Sequence, residues 1–306
     1  MKARRMALGL LLGAASLILI ANFRPYLRAA ALVVARRDTG CPTGMALRTP
    51  AAAQEETNAR QRIGKASRRV EADPGGLELW ETPSGRFWAP RRERSGYWLA
   101  DMLAEEATGV YVYGDLRVRR GDVVLDCGAN VGTFARHALE AGAQKVVAIE
   151  PGPDSVECLR RNFASEMAAD RLIVYPKGVW DKEDVMPLIV DKNGSLGDGF
   201  VIRRQGDHLG ATVPLTRIDT LAGELKLERV DFIKMDIEGA EKEALRGAQE
   251  TLRRFRPRLA ISAYHKSEDP VAIPALVRNL QPAYRMSCGS CVLEKRRISP
   301  KVFFFE

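Results

Sequence analysis

Five short apolar runs recur along the C-terminal two thirds of the chain, and helical stretches separate most of them. They read Val123-Val-Leu-Asp126, Lys145-Val-Val-Ala-Ile-Glu150, Leu172-Ile-Val-Tyr175, Val230-Asp-Phe-Ile-Lys-Met-Asp236 and Arg258-Leu-Ala-Ile-Ser-Ala-Tyr264. The intervening helices are expected at Thr133–Ala141, Asp154–Phe163 and Ala240–Phe255, the last carrying Leu245, Ala248, Leu252 and Phe255 on one face. Strands that alternate with helices build βαβ units, so the expected fold class is α/β with a mainly parallel, doubly wound sheet. The strands lack a polar face, which agrees with burial on both sides. Residues 185–218 interrupt this rhythm with Gly-rich turns and predict an inserted hairpin or loop.

Ahead of the sheet, Leu79, Trp80, Phe87 and Trp88 flank a Pro-Ser-Gly turn and predict a short hairpin. A helix over Trp98–Glu106 and the run Tyr111-Val-Tyr113 complete a shoulder or lid. Further upstream, Lys2, Arg4 and Arg5 precede the uncharged run Met6–Phe23, eighteen residues or about 27 Å as a helix, enough for a short membrane span. A cleavable signal peptide is the first alternative, but no A-x-A site follows directly. Arg24, Arg28, Arg36 and Arg37 lie just beyond the run, against three basic residues before it, which places the body on the cytoplasmic side. The expected organisation is therefore a basic flank and single-pass anchor over 1–38, a flexible basic linker over 39–76 and a folded domain over 77–306. The partner implied by the N-terminal helix is a membrane.

Charge follows the same division. Residues 1–70 hold 13 Lys+Arg against three Asp+Glu, while 71–306 hold 34 against 36. A near-neutral body removes the case for nucleic acid as a partner. Five cysteines without framework spacing argue against a disulfide-stapled scaffold. Cys288-Gly-Ser-Cys291 lacks the further ligands of a zinc site, and its Gly-Ser pair predicts a hairpin with the two cysteines facing each other.

The chemistry gathers where strands end. The first strand runs into Asp126-Cys-Gly128-Ala-Asn130-Val-Gly132, a loop that a ligand can approach closely and that lies at the carboxyl edge of the sheet. It fails the dinucleotide pattern, since Asn130 and Thr133 stand where glycines are needed. The second strand ends in Glu150, an acid suited to the two hydroxyls of a ribose. The fourth ends Lys234-Met-Asp236-Ile-Glu238-Gly239-Ala-Glu241, with Lys234 and Asp236 on one face. A lysine in such a strand needs a partner, for which Asp236, Glu238 and Glu241 are the candidates. The fifth brings His265 to the same rim.

With these motifs, VVLDCGANVGTFARHAL, VVAIEPGP, VDFIKMDIEGAEKEALRGAQETL and LAISAYHK, the chain resembles the FkbM-type methyltransferases over roughly residues 110–285. The resemblance implies a class I methyltransferase, Rossmann-like, with seven strands and an antiparallel last strand. It implies S-adenosylmethionine as cofactor and a hydroxyl of a sugar, glycolipid or natural product, a small molecule or glycan, as methyl acceptor. By the same resemblance Asp126, Gly128, Asn130 and Gly132 cradle the cofactor's methionine end, Glu150 holds the ribose, and Gly178 and Val179 flank the adenine. Methylating an alcohol calls for a base near its proton. Asp236 and His265 are the candidates, with Glu238 as an orienting residue. The rival class is a membrane-anchored binding or scaffold protein that keeps the fold without turnover.

Overall fold

The computed structural model describes residues 23–37, 40–92, 94–191, 198–203, 205–294 and 296–306. Nearly all of the apolar run Met6–Phe23, and with it the expected anchor, lies outside them. Among the described residues no helix is long and apolar enough to cross a membrane.

The first described elements are helices α1 (residues 23–34) and α2 (Thr43–Ala66), then the antiparallel sheet β1 (Arg68–Ala72), β2 (Leu77–Thr82) and β3 (Gly85–Pro90), and helix α3 (Ser95–Ala107). The expected hairpin is β2–β3, with Trp80 opposite Phe87. The alternating core follows with β4 (Val123–Cys127), α4 (Thr133–Glu140), β5 (Lys145–Ile149), α5 (Pro153–Asn162), α6 (Ala164–Ala168) and β6 (Leu172–Tyr175). The interruption after β6 is a small sheet of its own, β7 (Gly178–Val179), β8 (Asp184–Val190) and β9 (His208–Thr216), with β8 and β9 antiparallel. The chain then runs through α7 (Ile218–Glu224), β10 (Phe232–Met235), α8 (Glu241–Arg246), α9 (Gln249–Phe255), β11 (Arg258–Ser262) and α10 (Asp269–Leu280). Four short strands complete it: β12 (Met286–Cys288), β13 (Cys291–Leu293), β14 (Ile298–Pro300) and β15 (Val302–Phe305).

The central sheet has the order β12-β15-β11-β10-β4-β5-β6. Strands β11, β10, β4, β5 and β6 run parallel, and β15 is antiparallel to both neighbours. Period-two alternation deals the side chains of these strands to two cores. Leu125, Val147, Ile233, Leu259 and Phe303 pack on one face, and Val124, Val146, Phe232, Ala260 and Phe304 on the other. Chain order runs outward from β4 in both directions, so the β4–β10 boundary is a switch point and opens a crevice at the strands' carboxyl ends.

Three expectations need correction. Residues 43–66 are not a flexible tether but helix α2, docked through buried Ala46, Thr49, Pro50, Ala59 and Ile63. A helix that meets its neighbours mostly through small residues leaves no strong apolar period in the sequence. Its Glu56 also shares Lys301 Nζ with Glu105 of α3, each contact 2.9 Å. Cys288 and Cys291 do not pair across one hairpin either. Cys288 in β12 lies opposite Phe303 of β15, whereas Cys291 in β13 lies opposite Pro300 of β14 and forms a disulfide with Cys41. Finally, the helix expected over 240–255 breaks into α8 and α9 at Gly247, a position where the Trp180 carbonyl comes so close that a Cβ would stand 2.0 Å from its oxygen. Asp219 caps the second half by accepting from Glu250 N and Thr251 N.

The Cys41–Cys291 bond joins positions 250 residues apart and ties the segment between α1 and α2 to the two-stranded β13–β14 sheet. Replacing Cys41 by Ser is expected to lower the unfolding free energy by about 2–5 kcal/mol, measured by urea denaturation without reductant.

Candidate active site

A cavity of about 470 Å³ opens at the carboxyl ends of β4, β5 and β10, a size that suits a small molecule. It brings together seven of the expected site residues: Gly128, Asn130, Glu150, Gly178, Val179, Asp236 and Glu238. Asp126, Gly132 and His265 are not on its wall, and each has a structural reason to be elsewhere.

Asp126 is fully buried and sits in register with Lys234 across the β4–β10 pair, its Oδ1 3.2 Å from Lys234 Nζ. Lys234 therefore takes its partner from the neighbouring strand instead of from the acids that follow it in sequence. Its ammonium also donates to the Gly128 carbonyl at 2.8 Å, so the ion pair shapes the ligand loop from below. Burial pushes the Asp126 carboxyl up, and Lys234 works against that rise. Gly132 has φ +92° at the start of α4, where a Cβ would meet the Phe163 ring at 2.2 Å. Gly128, at φ +80°, is needed for a backbone crossing, since its Cβ would lie 2.0 Å from the Asp236 carbonyl oxygen. That close approach sets the ends of β4 and β10 side by side.

Glu150 is buried at the end of β5. Its Oε2 accepts from Asn130 N at 2.9 Å and its Oε1 from Gly152 N at 2.8 Å. Burial lifts the carboxyl to about 7, with the two N–H donors opposing the rise. Each oxygen keeps a lone pair for a hydroxyl. Gly178 and Val179 stand nearby with Phe200, whose ring occupies the space a Cβ on Gly178 would need.

Asp236 is held by a network. Tyr111 Oη donates to its Oδ2 at 2.6 Å, and His265 Nε2 stands 3.3 Å from its Oδ1. Burial raises the Asp236 carboxyl, but His265, Lys234 and the Tyr111 hydrogen bond outweigh it and keep the group below the ordinary carboxylate range. His265 lies behind Asp236 with almost no exposure, its Nδ1 3.0 Å from Glu241 Oε1 and its Nε2 3.8 Å from Glu238 Oε1. Burial opposes its protonation, yet Glu241, Asp236 and Glu238 lift it to about 10. An imidazolium takes up no proton, so this arrangement makes His265 a positioning residue for Asp236.

That assignment has a pH signature. The raised value means the His265 contribution to stability is complete below about 6.5 and fades as pH climbs toward 10. A His265→Gln variant is expected to lose about 3 kcal/mol at pH 6, and the gap from the parent protein should narrow at pH 9.5. Paired urea unfolding curves at the two pH values measure it.

Residues 126–284 match the methyltransferase FkbM domain, about half of the chain. The chain belongs to the FkbM methyltransferase family. The 2-O-methyltransferase NoeI of Sinorhizobium fredii is 29% identical over 153 residues, 44% of this chain and 60% of NoeI. The hexuronic acid methyltransferase AglP of Haloferax volcanii is 28% identical over 200 residues, 62% of this chain and 71% of AglP. The crystal structure of methyltransferase FkbM from Methylobacillus flagellatus is similar at 18% identity, covering 85% of this chain and 60% of that one with a TM-score of 0.48.

Sequence reasoning missed several groups that this member of the FkbM family brings to its cavity. Trp98, Glu105 and Glu106 come from α3, and Tyr111 and Tyr264 stand beside Asp236. For Trp98, Glu105, Glu106 and Tyr111 the only signal was membership in the shoulder before the sheet, which carries no spacing rule, whereas Tyr264 ends the fifth strand beside His265. Among the described residues two groups bring three ligand-type atoms within 4.8 Å of one another: Cys41, Cys288 and Cys291, and Asp236, Glu241 and His265. The disulfide accounts for two of the first set, and mutual ion pairing accounts for the second.

Proposed function

We propose that this FkbM methyltransferase uses S-adenosylmethionine to O-methylate a hydroxyl of a sugar, glycolipid or natural product. The observation that carries the reading is the meeting in one cavity of Glu150, the Gly128–Asn130 loop and the carboxylate of Asp236. This donor set fits a nucleoside cofactor. Glu150 offers two acceptor oxygens to vicinal hydroxyls, and Ile149, Val179 and Phe200 supply apolar surface for a base. When bound, the cofactor supplies an electrophilic methyl group on a sulfonium. The chain's own task is then alignment and proton removal. Asp236, kept ionised by Tyr111 and His265, accepts the acceptor hydroxyl's hydrogen, and Glu238 stands beside it on the same wall. Carboxylates interleaved with Trp98, Tyr111 and Tyr264 suit a polyhydroxylated ring, hydrogen-bonding its hydroxyls and stacking on its apolar face. Two relatives named as a 2-O-methyltransferase and a hexuronic acid methyltransferase support an oxygen or sugar acceptor. A scaffold without turnover would leave the Tyr111–Asp236–His265 arrangement without a use.

Calorimetric titration of S-adenosylmethionine into the full chain is expected to show micromolar binding. A folded protein that does not bind it would sink the reading. Attachment to a membrane through Met6–Phe23, with the body cytoplasmic, is a separate proposal resting on sequence alone. The Cys41–Cys291 disulfide weighs against a cytoplasmic body, because such bonds persist mainly in oxidising compartments. Thiol labelling of intact cells expressing the protein decides between the two placements.

A further inference from the structure

We infer that Glu106 receives the α-ammonium group of the cofactor's amino-acid tail. The inference rests on the proposed cofactor and adds a residue that neither the loop motif nor the strand-end acids contain. The loop after β4 runs from Asn130, bonded to Glu150, to Thr133 at the start of α4, and Thr133 lines the same cavity, so a ligand held at Glu150 can extend along the loop toward α4. An amino-acid tail brings an ammonium group that needs a partner once it leaves water.

The carboxylates at that end are committed, with one exception. Asp126 is paired with Lys234 at 3.2 Å, Asp236 is held by Tyr111 and His265, and Glu105 is 2.9 Å from Lys301. Glu106 has no hydrogen-bond or ion-pair partner among the described residues. Its position is fixed by two cavities. It lines the main one and also, together with Thr133, a neighbouring one of about 250 Å³, so it stands beside the first residue of α4. The cation nearest to it in effect is Lys234, whose ammonium is bound to the Gly128 carbonyl of the same loop. Burial close to Glu105, Asp126 and Asp236 pushes the Glu106 carboxyl well above the usual range, even against the pull of Lys234. An ammonium group beside this carboxyl would offset the burial that disfavours its ionised form.

The test uses two ligands that share a nucleoside and a thioether: S-adenosylhomocysteine, and 5′-methylthioadenosine, which lacks the amino-acid tail. Titrated into the full chain, Glu106→Gln is expected to weaken S-adenosylhomocysteine about ten- to a hundredfold, the loss of one charge-assisted hydrogen bond. Binding of 5′-methylthioadenosine should change less than about twofold by the same reasoning, which also shows that the variant is folded. Equal losses for both ligands, or no loss for either, overturn the assignment while leaving the cofactor reading intact. As a second measurement independent of any variant, the parent protein should bind S-adenosylhomocysteine more tightly than its analogue without the α-amino group. Equal affinity for those two overturns the assignment as well. A parent protein that binds none of these nucleosides overturns the cofactor reading and the Glu106 assignment together.

Discussion

Replacing Glu150 by Gln is expected to weaken S-adenosylmethionine binding about a hundredfold or more. The carboxylate already accepts backbone N–H groups from Asn130 and Gly152, one on each oxygen, so its orientation is locked before a ligand arrives. Each ribose hydroxyl would donate to an ionised oxygen, a hydrogen bond worth about 1.5–3 kcal/mol. Glutamine keeps one acceptor and turns an N–H₂ toward the other position, where it meets a backbone donor. The substitution therefore removes one contact and sets donor against donor at another. A pH dependence accompanies this. Burial holds the carboxyl at about 7, with Asp198 adding to the rise and Lys234 opposing it. The ionised form is the acceptor, so affinity in the parent protein should rise as pH increases through 7, by roughly tenfold between pH 6 and 8 for a single group. That Glu150-dependent rise should be lost in the Gln variant. Calorimetry at both pH values reads both effects, and an unchanged affinity in the variant would remove Glu150 from the cofactor site.

The second large effect concerns stability. Lys234→Met is expected to destabilise the fold by about 3–5 kcal/mol, because it strands Asp126 at the centre of the sheet without its counter-charge. Burial already raises the Asp126 carboxyl, and without Lys234 nothing restrains that rise. The destabilisation should thus shrink toward acid pH, where the carboxyl is neutral in folded and unfolded states alike. Combining Lys234→Met with Asp126→Asn should recover most of the loss, since neither residue then buries a charge. Urea denaturation of the two single variants and the double gives the coupling directly. If the double variant is no more stable than Lys234→Met alone, the ion pair is not what the lysine contributes.

The parallel sheet was legible because its signals are local. A run such as Lys145-Val-Val-Ala-Ile-Glu150 carries its length, its β-branched content and its end within six residues, and the strand is β5. The Gly128–Asn130 loop, Glu150 and Asp236 were legible for a related reason. In an open parallel sheet every strand's carboxyl end faces the same rim, so an acid at such an end is placed by the fold class alone. Helix α2 was not legible, because Ala and Thr facing a neighbour look in sequence like Ala and Thr facing water.

The amino-acid sequence by itself determined the alternation of strands and helices, the family motifs and the carboxylates at the rim. The tertiary structure alone decided which groups meet. Lys234 pairs with Asp126, 108 positions earlier, because β10 lies beside β4. His265 is charged because three carboxylates from the loop after β10 and the start of α8 surround it. Glu106 lines the same cavity as the Gly128–Asn130 loop because α3 packs against α4. Periodicity records what one segment does along its own axis. The charge state of a buried group depends on the field of its neighbours in space, and that field exists only once the chain has folded.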